Sequence, residues 1–245
     1  MAHCEPHRGP RVSHHVVMRI VAVADTHLFH DERFVVPDGD VFVHAGDMCR
    51  RGNLEELAEA AAWIAALPHR HKVIVAGNHD WAFQRQASEA RALLASRVAG
   101  VQYLEDGGAE IEGLRFWGSP WQPEFNDWAF NLPRGGAALR AAWNRIPAGL
   151  DVLITHGPPD GIGDQSGWDD GSRAGCDDLR GRVTVVSPRL HLFGHIHQDG
   201  GFWRLGPTAF ANVTTWECTR AATVIDVDGT TIMPVQVPPR TRARR

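Results

Sequence analysis

Short apolar runs that each end in aspartate, asparagine or histidine recur along this 245-residue chain. The first run is Met18 to Ala24, and Asp25 and His27 follow it directly. Short β-branched runs with polar ends predict buried strands, and helix-length segments between them predict crossovers in an α/β fold. The further runs of this kind lie at 41–43, 72–76, 151–155 and 190–193.

The segments between these runs carry helix and hairpin signals. Asn53 followed by Glu56 predicts a capped helix that stops at Pro68. Further helices are predicted over 82–98 and 137–145, hairpins over 109–117 and around 228–229, an ordered aromatic loop over 118–133 and a mobile loop over 161–176. Together these elements predict a single α/β sandwich with hairpins at its edges.

Composition excludes several classes of protein. Hydrophobic residues make up 43% and charged residues 22% of the chain, which is ordinary globular usage. The formal net charge of −4 offers no broad cationic face, so polymeric nucleic acid is not an expected partner. Four cysteines without a C-x-x-C pair, and the absence of a long apolar stretch or signal peptide, predict a cytoplasmic protein without a membrane span.

The chain divides unevenly. We expect residues 1–17 to be a disordered extension, residues 18–236 to form the domain and residues 237–245 to be a basic tail.

The polar residues at the strand ends form one candidate site, because carboxyl ends of strands in an α/β sheet share one edge. If the segments Asp25-x-His27 and His195-x-His197 are extended, we expect the two side chains of each pair to lie on the same face. Oxygen and imidazole donors without thiolate are typical of a divalent-metal site. The candidate residues are Asp25, His27, Asp47, Asn78, His79, His156, His195 and His197.

These residues stand in five blocks, in order: Asp25-x-His27, Gly46-Asp47, Gly77-Asn78-His79-Asp80, His156 and Gly194-His195-x-His197. The set resembles the complete signature of the calcineurin-like metallophosphoesterases, over roughly residues 18–228. The resemblance implies an α/β/β/α sandwich with its metal site at the carboxyl ends of the strands.

A narrower resemblance rests on Trp117-Gly-Ser-Pro-Trp121-Gln-Pro, the segment 126–135 and Thr155-His156-Gly-Pro-Pro159. These segments are similar to the metallophosphoesterase-domain phosphodiesterases, a class that includes 2′,3′-cyclic nucleotide hydrolases. Some members of the class carry glycine at the position of His195 and lose most activity, so its retention here favours an active enzyme. We expect substrate contacts at Asn78, His79, Trp121, Asn126 and Trp128.

The family's roles carry over residue by residue. One metal ion is expected on Asp25, His27 and His197, and a second on Asn78, His156 and His195, with Asp47 bridging them. His79 matches the catalytic histidine, and Asp80 is expected to orient its ring. The ligand set permits Mn²⁺ or Fe, and also Zn²⁺ or Ni²⁺.

These inferences predict a dinuclear metal-dependent phosphodiesterase acting on small phosphodiesters, with 2′,3′- or 3′,5′-cyclic nucleotides as first candidates. Two dications about 3.5 to 4 Å apart lower the pKa of a bridging water, and the resulting hydroxide attacks phosphorus in line. A phosphomonoesterase with the same metal site is the alternative. A non-catalytic scaffold of the same fold is a third reading, but such scaffolds usually lack the histidine found here at His79.

Overall fold

A computed structural model of the chain describes residues 17–167 and 170–240. Residues 1–16 of the predicted N-terminal extension lie outside the described residues. Residues 241–245 of the predicted basic tail also lie outside them.

The described residues form fourteen strands and five α-helices. The strands are β1 (Met18–Val23), β2 (Val41–Ala45), β3 (His71–Val75), β4 (Gln102–Tyr103), β5 (Gly107–Ile111), β6 (Leu114–Ser119), β7 (Gln122–Pro123), β8 (Asn131–Leu132), β9 (Val152–Thr155), β10 (Leu190–Phe193), β11 (Gly201–Leu205), β12 (Thr208–Asn212), β13 (Thr223–Asp228) and β14 (Thr231–Gln236). The helices are α1 (Leu54–Ala66), α2 (Trp81–Arg85), α3 (Ala87–Arg97), α4 (Ala137–Asn144) and α5 (Asp177–Val186).

Twelve strands form two six-stranded sheets. The first has the order β14-β13-β1-β2-β3-β4, in which β1 to β4 are parallel and β13 and β14 are antiparallel to their neighbours. The second has the order β11-β12-β10-β9-β6-β5, with four parallel central strands and an antiparallel strand at each edge. The remaining strands, β7 and β8, pair in parallel within the predicted aromatic loop.

The two sheets pack face to face with helices on both outer surfaces. One buried cluster joins the facing sides of the sheets, with Ile20 and Val43 from the first and Ile154 and Leu192 from the second. A second cluster lies between the first sheet and α1 to α3, and a third between the second sheet and α4 and α5. This arrangement confirms the predicted α/β/β/α sandwich.

The strand ends predicted from the sequence are close to those observed.

The predicted cap of the first helix is also present. Asn53 caps α1, since its side chain accepts a hydrogen bond from the Glu56 N–H at 2.8 Å, and the helix ends before Leu67 and Pro68. The hairpins at 112–113 and 228–229 are also present.

The helices of the structure differ from the prediction at two places. The predicted helix over 82–98 is interrupted at Gln86, whose φ of −136° and ψ of 48° are not helical. The two parts pack on different partners: Gln84 of α2 accepts a hydrogen bond from the Phe130 N–H, whereas α3 packs on α1. Helix α5 lies where no helix was predicted, directly after the loop at 161–176.

None of the helices described is long and apolar enough to cross a membrane.

Candidate metal centre

The candidate ligands sit on strained turns that follow the strands. Asp25, His27, Asp47 and His195 all have positive φ angles, between 45° and 69°. Such left-handed conformations cost roughly 1 to 2 kcal/mol for an L residue other than glycine. Strain of this kind is concentrated at functional sites, where the surrounding structure maintains it.

Two glycines allow these turns to approach one another. A Cβ atom on Gly46 would lie 2.3 Å from Nδ1 of His156, and one on Gly77 would lie 2.3 Å from Oδ1 of Asp47. Neither position has room for a side chain. The glycines of the Gly46-Asp47 and Gly77-Asn78 blocks therefore bring the ends of β2, β3 and β9 together.

The first donor group consists of Asp25, His27 and His197, whose ligand atoms all lie within 4.8 Å of one another. Nδ1 of His27 contacts the carbonyl oxygen of Cys49 at 3.0 Å, which directs Nε2 toward the group. Burial raises the pKa of Asp25, but the hydrogen bond and charge of His197 outweigh it and the pKa is lowered. The carboxylate is therefore ionised in a buried position.

The second donor group consists of Asp47, His156 and His195, again within 4.8 Å. Nδ1 of His156 contacts the carbonyl oxygen of Ala45 at 2.9 Å, and its Nε2 lies 2.9 Å from Oδ1 of Asn78. Burial lowers the pKa of His156, but the charge and hydrogen bond of Asp47, with the charge of Asp25 and the Ala45 carbonyl, together outweigh it and raise the pKa to about 9. Because Oδ1 of Asn78 contacts His156, the amide oxygen of Asn78 lies beside this second donor group.

The two groups are linked by Asp47 and His27, which form a third group of donor atoms with His79. Oδ2 of Asp47 lies 3.4 Å from Nε2 of His156 and 3.8 Å from Nε2 of His27. All donors in the three groups are carboxylate oxygens or imidazole nitrogens, which suit divalent ions of the first transition row. The side chains therefore fit a pair of metal ions, and all seven predicted ligands lie together.

His79 lies beside these groups and is held from several sides. Its Nδ1 is 2.6 Å from the carbonyl oxygen of Arg50, and its backbone N–H donates to Oδ1 of Asp47 at 2.8 Å. The ring centroid is 4.6 Å from that of His27 and 4.2 Å from that of Trp128. Since a carbonyl oxygen only accepts, Nδ1 carries the proton and Nε2 of the neutral ring is free to accept one.

The expectation that Asp80 orients the His79 ring is wrong. Its carboxylate instead accepts hydrogen bonds from the backbone N–H groups of Asp47, Cys49 and Gly77, at 2.8 to 3.0 Å, with a longer contact of 3.4 Å to that of Met48. Asp80 is buried and lies between two turns whose N–H groups have no strand partner. It therefore fixes the turn after β2 to the turn after β3, while a backbone carbonyl orients His79.

The aromatic loop reaches the donor groups at two points. Trp128 packs on His79, and the ring of Phe125 lies 4.9 Å from that of His195. Trp121 instead donates its indole N–H to Asp106 at 2.7 Å and packs on Phe130, so its observed contacts are structural. Asn126 is exposed, and its predicted substrate contact, like those of the other four residues, stays a prediction.

Sequence reasoning missed two features of the site. Trp216 lies 6.2 Å from the His197 ring, on a turn where residues 216–218 all have positive φ angles. A cavity of about 300 Å³ adjoins His195. Its walls include Phe125, Arg134, Pro158, Ala174 and Ile196. No local motif marks Trp216, and the cavity is assembled from distant segments.

Comparison with known proteins gives consistent results. A family model described as calcineurin-like phosphoesterase matches residues 18–199. Metallophosphoesterase domain-containing protein 1 of Homo sapiens is 38% identical over 231 residues, covering 85% of this chain and 69% of that protein. A UPF0046 protein of Caenorhabditis elegans is 38% identical over 228 residues, covering 85% of this chain and 80% of that protein.

Solved structures share the fold at low sequence identity. The protein TT1561 of Thermus thermophilus has a TM-score of 0.60 at 14% identity, covering 89% of this chain and 98% of that one. A phosphopantetheinyl hydrolase from Mycobacterium tuberculosis has a TM-score of 0.53 at 15% identity, covering 80% of this chain and 88% of that one. At such identities the likeness concerns the fold alone.

Proposed function

Because the chain belongs to the calcineurin-like phosphoesterase family, we propose that it is a dinuclear metal-dependent phosphodiesterase that hydrolyses small phosphodiesters. One observation carries the proposal: two three-donor groups are joined through Asp47 and His27, with His79 beside them. Divalent metal ions are the cofactors of this family, and the donor set suits them.

The proposed ligands divide into two sets. Asp25, His27 and His197 would hold one ion, and Asn78, His156 and His195 the other, with Asp47 shared. Bound there, a pair of divalent ions supplies Lewis acidity for the phosphate oxygens and an activated water near neutral pH. Mn²⁺ and Fe are our first candidates, and Zn²⁺ and Ni²⁺ satisfy the same donors.

His79 is our candidate for proton transfer at the leaving oxygen. Its Nδ1 proton is bonded to the Arg50 carbonyl, so Nε2 is the nitrogen available to the substrate. When the ring is protonated, Nε2–H can donate to a leaving alkoxide as negative charge develops on it. General acid catalysis of this kind contributes about 10² to 10⁴-fold to the rate.

The cavity beside His195 favours a diester over a monoester. Its walls are largely apolar, formed by side chains such as Phe125, Pro158 and Ile196, and its volume is about 300 Å³. This volume is at the lower end for small-molecule sites, which run from about 300 to 1,000 Å³. An open phosphodiester carries a second organic group that can fill such a space, whereas a phosphomonoester has no second organic group to place there.

Cyclic nucleotides are the first substrates to test. The rings of Trp128 and Phe125 border the donor groups on the sides of His79 and His195, and a nucleobase stacked on an aromatic ring gains about 1 to 3 kcal/mol. We further propose a cytoplasmic location, since the four cysteines form no C-x-x-C pair. We propose no polymeric nucleic-acid partner, since the net charge is −4.

The decisive experiment combines metal content with substrate preference. Elemental analysis of the purified protein should give about two metal ions per chain after Mn²⁺ loading. The loaded enzyme should hydrolyse bis(4-nitrophenyl) phosphate and a 2′,3′- or 3′,5′-cyclic nucleotide faster than 4-nitrophenyl phosphate.

Other results of this experiment would support the alternative functions. A preference for 4-nitrophenyl phosphate would support the phosphomonoesterase alternative. Bound metal without hydrolysis of any of these esters would favour a scaffold or an untested substrate, and a protein that takes up no metal would contradict the proposed centre.

A further inference from the structure

The carboxylate of Glu56 makes an unusual set of contacts just before helix α1. One oxygen, Oε2, accepts hydrogen bonds from three successive backbone N–H groups, at 3.0 Å from Arg50, 2.7 Å from Arg51 and 2.9 Å from Gly52. In an ordinary capping box the carboxylate returns to the N–H of the cap residue itself, here Asn53. Helix capping alone therefore does not account for where Glu56 points.

The peptide between Arg50 and Arg51 connects Glu56 to the candidate catalytic histidine. Its N–H belongs to Arg51 and donates to Glu56, while its carbonyl oxygen belongs to Arg50 and lies 2.6 Å from Nδ1 of His79. A trans peptide is planar, and its N–H and C=O point in opposite directions. A carboxylate that fixes the N–H side therefore also fixes the direction of the carbonyl that meets His79.

The same loop is packed against the backbone of His79. A Cβ atom on Gly52 would lie 2.1 Å from the carbonyl oxygen of His79, and the Gly52 carbonyl accepts a hydrogen bond from the Ala82 N–H at 2.6 Å. The Arg50 side chain also donates from Nε to the carbonyl oxygen of His27 at 2.7 Å. Residues 50–52 thus connect the His79 segment with the turn that carries His27.

The charge state of Glu56 suits this role. Burial raises its pKa, but the N–H groups of residues 50–52 and the charge of Arg51 outweigh it, so the pKa is lowered. The group is therefore an anion near neutral pH, and hydrogen bonds to an anion are shorter and stronger than those to a neutral acceptor.

We propose that Glu56 is a positioning residue for His79, which it orients through the Arg50–Arg51 peptide without contacting the substrate. The fixed carbonyl accepts the Nδ1–H of His79 in both the neutral and the protonated ring. It thereby directs Nε2, which carries the transferable proton when the ring is protonated, at the leaving oxygen. The kinetic part of this inference rests on the proposed function, whereas the orientation of the ring does not. Outer groups that orient an imidazole typically contribute about 10 to 100-fold to activity.

The kinetic test uses leaving groups of different basicity. Glu56→Ala should lower kcat for a cyclic nucleotide, whose alkoxide needs a proton, by about 10 to 100-fold. For bis(4-nitrophenyl) phosphate, whose phenolate leaves readily, kcat should change by less than about threefold, because little general acid catalysis is needed. KM and metal content should stay the same, and Glu56→Gln, which retains an acceptor oxygen, should recover part of the rate.

Two controls separate positioning from general loss of stability. Asn53→Ala removes the cap of the same helix, at about 0.5 to 2 kcal/mol, without removing the Glu56 carboxylate, and it should leave the ratio of the two rates unchanged. In a His79→Ala background, Glu56→Ala should have no further effect on kcat, because coupled residues are not additive.

A structural measurement keeps the inference independent of turnover. Imidazole ¹⁵N spectra of the Zn²⁺-loaded protein, recorded at a pH at which the His79 ring is neutral, should show its proton on Nδ1, with the signal assigned by its absence in His79→Ala. Glu56→Ala should convert it to a mixture of tautomers, and Asn53→Ala should not. Any of three results would overturn the inference: an unchanged tautomer in Glu56→Ala, an equal loss of rate on both esters, or a further loss of rate in the His79→Ala background. An inactive wild-type protein with the expected spectra would contradict only the proposed function.

Discussion

At the scale of single residues, Asp47 has the central position in the site. Its carboxylate lies near Nε2 of both His27 and His156 and accepts a hydrogen bond from the His79 N–H. Burial raises its pKa, but the charge and hydrogen bond of His156, with the charges of His27 and His79, together outweigh burial. The pKa is therefore lowered and the group is ionised. Removing it takes away the one donor that the two proposed metal sets share.

We therefore expect Asp47→Ala to lose at least one of the two metal ions and nearly all turnover. Elemental analysis after Mn²⁺ loading and gel filtration measures the first effect. Asp226→Ala is the matched control, since Asp226 accepts a hydrogen bond from Arg19 on the first sheet and does not belong to the donor groups. Full metal content in Asp47→Ala would contradict the assignment.

His79 should separate metal binding from catalysis. Its Nδ1 is already hydrogen-bonded to the Arg50 carbonyl, and neither the first donor group nor the second includes His79. His79→Ala should retain both metal ions and lower kcat on cyclic nucleotides by about 10² to 10⁴-fold. His71→Ala, which removes a histidine bonded to Glu112, should change neither quantity. A wild-type rate in His79→Ala would remove this residue from the mechanism.

At the scale of structural elements, the loop at 161–176 forms one wall of the cavity beside His195. Ala174 lines it, and its backbone N–H and carbonyl are bonded to Asp164 and Arg134. Those bonds do not involve its side chain. A larger side chain at this position should therefore occupy the cavity while the loop keeps its conformation.

Ala174→Phe should lower kcat/KM for bis(4-nitrophenyl) phosphate by about tenfold or more, because the second organic group loses its space. Hydrolysis of 4-nitrophenyl phosphate should change little, since this ester does not need the cavity. Ala138→Phe on the exposed side of α4 is the control for the added ring. An equal loss on both esters would argue against the cavity as the site of the second group.

The sequence predicted the central strands well because each is a short apolar run with its own polar end. The five blocks likewise predicted which residues lie together, since strand ends of parallel sheets share one edge. The break at Gln86 was not predictable, because no glycine or proline marks it and tertiary packing decides it. The role of Asp80 was also missed, since its partners are backbone N–H groups that no sequence motif encodes.

At the scale of the whole molecule, several histidines are buried within the sandwich, so its stability should depend on pH. His191 in β10 is fully buried, and Nε2 of its ring lies 2.9 Å from Oγ1 of Thr155. That hydroxyl donates its own proton to the Gly157 carbonyl, so it accepts from His191. Burial lowers the pKa of His191 from 6.5 to about 3, which keeps the ring neutral in the folded state.

The sign of the effect follows from proton binding. In the unfolded chain the pKa of His191 returns to about 6.5, so below that pH the unfolded state binds a proton that the folded state does not. The free energy of unfolding therefore falls as pH decreases from about 6.5 toward 3, by about 1.4 kcal/mol per pH unit for one such group. At pH 5 the contribution of His191 is a loss of about 2 kcal/mol, and it vanishes above about pH 7.

Urea unfolding at pH 7.5 and pH 5.0 tests this prediction, with a chelator present so that release of metal at low pH does not contribute. His191→Gln keeps a donor for Thr155 and removes the titrating group. Whatever the variant's own stability, the difference between the two pH values should shrink by about 2 kcal/mol relative to the wild type. If His191→Gln lost stability between the two pH values as steeply as the wild type, the acid sensitivity of the sandwich would have to come from other buried groups, such as His44, whose pKa is also lowered to about 3 by burial.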